Sequence, residues 1–594
     1  MIIAVCITLL LYLQFLNFPA ISWDDPEMVF KNKDVRSFNL FAFFSSHYVG
    51  NYIPLTMFFH ALNWKLAGTN VGGHHLFNIL IHLLNGVLAF RIGLILFKNK
   101  GPANVIAILF LLHPLQIESV GWISELKNVL WVFFAFLSIH AYLNPIESSS
   151  QSKYLKVFLF FLLACLSKPS AVILPLLFIA LDIFQNNDFK LKYVLHKIPF
   201  LIIAIIFGII NMKTQSADLF INYSHAFPYY QRFAFGGFAL LKYIGFFTFP
   251  IGLSALHPYP EFNSFILISG ITFFSAVIIL LSYLFYKKSF KLFALISLPL
   301  INLILVLQFI PFGESLYADR YMYMALFFFS LLPVYCIAQK ERVLKYSSIL
   351  LIIILPIISF SRMRIWSSAE NLYTDVVKKY PESFVALNSL GTEKMMLNKD
   401  TEALQYLTEA VRVNEKNYKG YYNLGLVLLK LNKSDEAIKS FNQAIKLKEN
   451  TKSYIGRASA YYNKMDIAKA ISDAEYVLKS EPNNAKALFI LANCYNEMNQ
   501  LEKAISVYDL CIQGDADEPD FYFKRGIAYG KMQDFSKCKL DLDKCLILNK
   551  NYIEAYYWRG VVKVNLKENP CADLKIAAQN NYKPAVTAFQ KYCQ

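Results

Sequence analysis

The sequence predicts an all-α chain in two parts: a polytopic membrane bundle followed by a solenoid of paired helices. Three observations predict it. Hydrophobic residues make up 56% of the 594 positions and charged residues only 17%, and the mean hydropathy is +0.38, too apolar for an ordinary soluble enzyme. The apolar residues crowd into runs of membrane-spanning length from Met1 to about Arg362. After Arg362 the runs stop and a repeat of about 34 residues takes over.

In chain order, spans are expected near 2–20, 74–97, 102–118, 125–144, 154–168, 169–186, 194–212, 264–286, 291–312, 319–338 and 345–361. The N-terminus has no basic residue before its apolar run, so that run reads as a retained span rather than a cleaved signal. The run 232–250 stays ambiguous. Its Gly236-Gly237 pair and interior Lys242 fit a re-entrant or interfacial segment better than a lipid-facing helix. With about eleven spans and a cytoplasmic N-terminus, the clusters Lys98/Lys100, Lys190/Lys192/Lys197, Lys287/Lys288/Lys291 and Lys340/Arg342/Lys345 all fall on the cytoplasmic side. The loop after the first span, 113–124, the Lys168 turn, 213–231, 251–263, 313–320 and everything after Arg362 then lie outside. The first outer loop, about 21–73, is too long for a connector. Phe38 to Phe44 and Ile53 to Leu66 read as helices that lie in the interface or cover a cavity.

Past Arg362, Gly391, Gly425, Ala458, Ala492, Gly526 and Gly560 recur at spacings of 34, 33, 34, 34 and 34 residues. Twelve residues after each comes a small residue (Ala403, Ala437, Ala470, Ala504, Cys538, Ala572), and in most repeats a bulky one follows four later. Small residues let paired helices approach, and bulky ones fill the groove between pairs. This is the tetratricopeptide pattern. The domains are therefore 1–362 (membrane), 363–383 (a linking helix, roughly Ala369 to Lys379) and 384–594 (about six repeats). Asn569-Pro570 sits in the turn of an atypical last repeat, as expected of a cap.

Net charge is +16. It spreads over membrane-flanking loops and outer helix faces, with no basic stripe interleaved with aromatics, so nucleic acid is not an expected partner. The nine cysteines include no CxxC pair, which argues against a zinc site, and no disulfide can be assigned from spacing. No P-loop, GxSxG, HExxH or dinucleotide fingerprint occurs.

Four constellations can carry chemistry, all on the predicted outer side. Asp24 and Asp25 follow the first span. One carboxylate can act as general base on a hydroxyl and the other can hold a divalent metal or orient an acceptor; the alternative is an aqueous turn. His113-Pro114…Glu118 breaks an apolar run; Glu118 and His113 can line an acceptor or metal site, or cap a helix. Asp25 and Glu118 are the metal candidates, although Glu125 and Lys127 are close enough to pair with each other. Lys168, inside an apolar region, can meet a phosphate or snorkel. Arg320, in Asp319-Arg320-Tyr321, can bind phosphate bidentately or pair with Asp319 as an interfacial anchor, with Glu314 nearby. Asp25 is weakly preferred over Asp24 as the base.

The order of these motifs, followed by the repeats, resembles the transmembrane and tetratricopeptide repeat-containing protein O-mannosyltransferases and their bacterial relatives, in the GT-C glycosyltransferase superfamily. The resemblance covers nearly the whole chain and implies a GT-C-like membrane domain. It also implies a polyprenyl-phosphate sugar as donor and a hydroxyl acceptor, such as protein Ser or Thr. In that scheme Asp24 or Asp25 is the base, Lys168 and Arg320 hold the lipid phosphate, and the anomeric carbon inverts. Lys168-Pro169 departs from the Lys-Glu of many animal relatives, and no feature names mannose. The Lys/Asn/Ile/Phe-rich composition fits a bacterial inner membrane with periplasmic repeats, undecaprenol as the lipid, and repeats that bind an acceptor or partner. Two other readings stand beside it: a non-enzymatic membrane scaffold that recruits proteins through its repeats, and a polyprenyl-lipid transporter.

Overall fold

The computed structural model describes every residue except 145–149, 218–226, 310–312, 314 and 594; Glu314 thus lies outside the described residues. Among the described residues the chain is all-α apart from one two-stranded antiparallel sheet, His257–Pro258 with Ser315–Tyr317, and an isolated bridge between Tyr48 and Asn51. It divides into two compact units, Met1–Glu393 and Lys394–Gln594.

The first unit is a multi-pass bundle. Among the described residues, six helices are long and apolar enough to cross a membrane, including Val71–Phe97, Ser264–Tyr286 and Glu341–Ile365. A pair bent by 49°, Lys100–Leu112 with Pro114–Gly121, makes a seventh. The bend falls at His113-Pro114, because proline has no amide proton to continue the helix. Ile2–Asn17, Ile198–Thr214 and Phe290–Val306 are shorter apolar helices. The buried face of the bundle is continuous, from Tyr12 and Phe15 through Trp131, Phe136 and Phe178 to Phe327 and Trp366. Ile278, Ile279, Ile353 and Ile357 are exposed on two of the spanning helices, as suits contact with acyl chains.

The long first loop is ordered. Pro54–Ala67 is a buried helix presenting Thr56, Met57, His60 and Ala61 inward, whereas Leu40–Ser45 leaves Phe41 and Phe44 exposed. The ambiguous run forms one continuous helix, Tyr229–Thr248. It packs so closely on Ser264–Tyr286 that a Cβ on Gly237 would stand 2.0 Å from the Gly270 carbonyl oxygen, which explains both glycines. Both ends of this helix return to one short segment. Phe227 stacks on Tyr259 at 4.9 Å and Tyr230 meets Phe262 at 5.9 Å, while Phe246 lies 5.5 Å from His257.

The second unit is built from 13- and 14-residue helices in pairs, such as Tyr418–Lys430 with Ser434–Leu447. At the equivalent turn of successive repeats, Asn398, Asn432, Met465, Asn499, Gln533 and Lys567 adopt left-handed backbone, φ 57° to 62°. Asparagine tolerates that conformation best among side-chain-bearing residues, and it fills three of the six positions. Small and bulky positions interlock as their spacing predicts: the Phe441 ring lies 2.6 Å from a Cβ built on Gly425 and 2.5 Å from one on Gly456.

An arginine ladder joins neighbouring repeats. Arg525 makes a fork to Asp541 in its own repeat (2.8 and 2.7 Å) and reaches Asp509 of the repeat before it (2.6 Å). Arg457 does the same with Asp473 and Asn442, and Arg559 with Asp573 and Asp543. Asp541 is only 6% exposed, so Arg525→Ala strands a buried carboxylate and is expected to cost about 3 kcal/mol. Faster thiol labelling of the neighbouring buried Cys538 and Cys545 reports it; unchanged labelling would show the ladder to be decoration. A disulfide, Cys571–Cys593, closes the last helices, and the solenoid's other cysteines, at 494, 511, 538 and 545, are free and buried.

Candidate functional site

The two adjacent aspartates have different surroundings. Asp25 is fully buried. Its Oδ2 accepts from the Ile21 amide at 2.9 Å, and its Oδ1 accepts from the Ser124 amide at 2.8 Å and the Ser124 hydroxyl at 2.5 Å. Burial pushes this carboxyl up to about 6 against the pull of those three donors. Asp25 thereby ties the end of the first helix to the turn that starts Leu126–Leu143. The Asp24 carboxylate, half-buried, makes no hydrogen bond or ion pair among the described residues. Burial raises it too, with Lys127 the strongest opposing influence and Arg320 also pulling it down.

Opposite Asp24 lies a knot of buried charge drawn from distant parts of the chain. Glu125 stands 3.2 Å from Lys127, 3.6 Å from Lys168 and 3.9 Å from Arg320. Arg320 donates to Glu118 at 2.6 Å. Three cations therefore face two carboxylates that contact them, and Asp24 supplies the third negative charge nearby. Asn128 stitches the cluster together: its Oδ1 accepts from Lys168 at 2.8 Å while its Nδ2 donates to the Arg320 carbonyl at 2.8 Å. Arg320 keeps 19% of its side chain exposed and Lys168 12%, so both remain reachable. Aromatic rings border them. The Arg320 guanidinium lies 5.7 Å from the Trp122 ring and 5.1 Å from that of Tyr321. Trp23, next to Asp24, meets Trp122 at 5.4 Å and Tyr373 of the linking helix at 5.9 Å.

Lys168 is presented by a sharp turn. Ser150–Ser167 ends just before it and Pro169 opens the next helical turn. Thr56 of the buried loop helix donates to the Ser167 carbonyl at 2.8 Å, pinning the long first loop to that turn.

The structure thus brings Asp24, Glu118, Lys168 and Arg320 into one neighbourhood. Asp25 lies beside them, spent on backbone and hydroxyl donors. His113 is used as a cap: its Nδ1 accepts from the Leu115 amide at 3.2 Å and its Nε2 bonds the Phe247 carbonyl at 3.2 Å. Asp319 does not pair with Arg320. It binds His257 and Arg362 on its other side, at 3.1 and 3.3 Å, because neighbouring side chains in a helical turn point in different directions. The Glu125–Lys127 pair forms, but inside the cluster rather than apart from it. Ser124, Asn128 and His257 carry no motif that would have marked them.

The residues present do not fit a divalent metal. The candidate Asp25 has both oxygens occupied by donors, Glu118 faces a guanidinium, and among the described residues no group of three or more His, Cys, Asp or Glu gathers.

Comparison with known proteins agrees with the two-part reading. Residues 418–450 and 465–522 match tetratricopeptide repeat families. The chain is 30% identical over 137 residues to the mouse protein O-mannosyl-transferase TMTC1, covering 21% of this chain and 14% of that one. It is 25% identical over 186 residues to a Caenorhabditis elegans protein O-mannosyl-transferase (30% and 26%) and 27% identical over 130 residues to human protein O-mannosyl-transferase TMTC3 (20% and 14%). The matches span about a quarter or less of these relatives, and all three are animal proteins rather than bacterial ones. Among solved structures, a tetratricopeptide repeat protein from Parabacteroides merdae is 20% identical, over 38% of this chain and 90% of that one, with a TM-score of 0.33. The chain is accordingly an integral-membrane, tetratricopeptide-containing protein similar in part to the protein O-mannosyl-transferases.

Proposed function

We propose that this protein is an inverting membrane glycosyltransferase that moves a sugar from a polyprenyl-phosphate donor to a hydroxyl acceptor on the non-cytoplasmic face. The observation that carries this reading is a half-buried carboxylate, Asp24, with no hydrogen bond or ion pair among the described residues. It lies within the electrostatic reach of Lys127 and Arg320 and beside the cluster in which Glu125 joins Lys168 to Arg320. The reaction needs a base at one end and a charge sink at the other.

Asp24 takes the proton of the acceptor hydroxyl as its oxygen attacks the anomeric carbon. The bond from that carbon to the phosphate oxygen breaks, and the lipid phosphate leaves with one more negative charge than it had in the donor. Lys168 and Arg320, held in place before the donor arrives, stabilise that developing charge. A single displacement inverts the carbon. No step runs through a metal.

Two features support an outward-facing repeat domain. Residues near both ends of Tyr229–Thr248 contact the one short segment His257–Phe262, which favours a helix that does not join opposite faces of the membrane. Without that crossing, the eleven spans expected from the sequence bring the chain beyond Arg362 out opposite its N-terminus. The Cys571–Cys593 disulfide fits an oxidising compartment, with the remaining solenoid thiols sheltered from mispairing. The repeats bind a peptide or protein acceptor or another partner. The lysine-, asparagine- and isoleucine-rich composition favours a bacterial inner membrane with a periplasmic repeat domain.

The test is incubation of the purified protein with polyprenyl-phosphate-linked mannose, glucose and galactose and a Ser/Thr-rich peptide, read by mass spectrometry. Equimolar polyprenyl phosphate and glycosylated peptide are expected from one donor. Intact donor in every case would overturn the reading in favour of a scaffold.

A further inference from the structure

Asp319 and Arg320 are adjacent in sequence and face opposite ways. Arg320 turns to Glu118 and Glu125. Asp319 turns to a second buried polar group outside the proposed reaction path. The Asp319 carboxylate can only accept, so His257 Nε2 carries the proton it shares with Oδ1 at 3.1 Å. His257 Nδ1 then accepts from the Tyr380 hydroxyl at 2.7 Å. On the other carboxylate oxygen, Arg362 donates from Nη2 at 3.3 Å while its Nη1 lies 3.5 Å from Asp375. Lys379 holds Asp375 at 2.6 Å and the Leu253 carbonyl at 2.6 Å.

Four segments meet in this network: the short strand at 257, the 315–320 segment, the end of the last spanning helix at Arg362, and the linking helix Ala369–Lys379 with Tyr380. His257, Asp319 and Arg362 are 1%, 2% and 6% exposed. None can touch a ligand reaching the cluster; Arg320 can. The Arg320 main chain is thus gripped from two sides, its carbonyl by Asn128 at 2.8 Å and its preceding residue by this network.

We propose that His257, Asp319 and Arg362 are positioning residues that fix the 319–320 backbone and so aim the Arg320 guanidinium at the anionic headgroup of a lipid phosphate. The linking helix completes the clamp and belongs to the site rather than serving as a tether. The inference rests on the phosphate role given to Arg320 above. Loss of orientation one residue away is expected to weaken binding by on the order of tenfold to a hundredfold, as removal of supporting partners does at other preorganised sites.

The experiment measures binding of undecaprenyl phosphate, and of undecaprenol as the uncharged control, to the full chain in detergent, with the thermal midpoint read alongside. Arg320→Gln and His257→Leu are expected to weaken the phosphate lipid on the order of tenfold or more and leave undecaprenol unchanged. His257→Gln, which keeps a donor toward Asp319, restores most of the affinity. Arg362→Lys, which keeps the charge but cannot bridge Asp319 and Asp375, serves as the second variant if His257→Leu fails to fold, and behaves like it. If Arg320→Gln weakens binding while the clamp variants match the wild type, the clamp is overturned and the phosphate role of Arg320 stands. If wild-type binding is absent or indifferent to Arg320, the phosphate reading falls and the clamp proposal with it.

Discussion

Asp24→Asn is expected to lower sugar transfer by roughly a hundredfold to ten-thousandfold, the range a positioned general base supplies, while leaving the thermal midpoint where it was. The carboxylate makes no hydrogen bond or ion pair among the described residues, so an amide of the same shape breaks no contact. Donor binding should persist, because Lys168 and Arg320 are untouched. The base works only when ionised, and burial raises the Asp24 carboxyl above its ordinary value. Activity should therefore fall as pH drops, along an acid limb lying above the pH at which an exposed aspartate titrates. Assaying released lipid phosphate across pH tests both statements. A variant that transfers at the wild-type rate would remove Asp24 from the chemistry.

Asp25→Ala should do the reverse of Asp24→Asn. It strands the Ile21 amide and both the amide and hydroxyl of Ser124 in a site with no solvent access. Each unsatisfied buried donor costs about 1–3 kcal/mol, so the loss amounts to several kcal/mol and the first helix comes loose from the turn at 124. Thermal unfolding in detergent should show a large drop for Asp25→Ala and none for Asp24→Asn. Equal midpoints for the two variants would show that the carboxylates share one role.

How far the site could be read from the sequence depended on the range of each interaction. The repeats were legible because their geometry is periodic: small residues about 34 apart sit at equivalent places in successive helix pairs. Apolar length picked out seven of the expected spans, one of them as the bent pair at His113-Pro114, while those near 2–20, 194–212 and 291–312 are shorter apolar helices. The neighbourhood of Asp24, Glu118, Lys168 and Arg320 followed from placing four loops on one side of a membrane. The division of labour within Asp24-Asp25 did not, because it depends on Ser124, 99 residues away. Asn128 reads as an ordinary polar residue in an apolar helix until its side chain is seen between Lys168 and the Arg320 carbonyl. His257 carries no motif, and sequence adjacency makes Asp319 a natural partner for Arg320. Their true partners lie 62 and 43 residues from Asp319, a separation no local motif encodes. The disulfide was likewise invisible, since Cys571 and Cys593 are brought together by the turn between the last two helices rather than by any spacing rule.

The account turns on where the lipid phosphate binds. A cryo-EM map of the full chain with undecaprenyl phosphate addresses that directly. The account predicts headgroup density within hydrogen-bonding distance of Lys168 Nζ and the Arg320 guanidinium, on the side facing Asp24. Headgroup density elsewhere in the bundle, with Lys168 and Arg320 still bound to Glu125 and Glu118 alone, would contradict it.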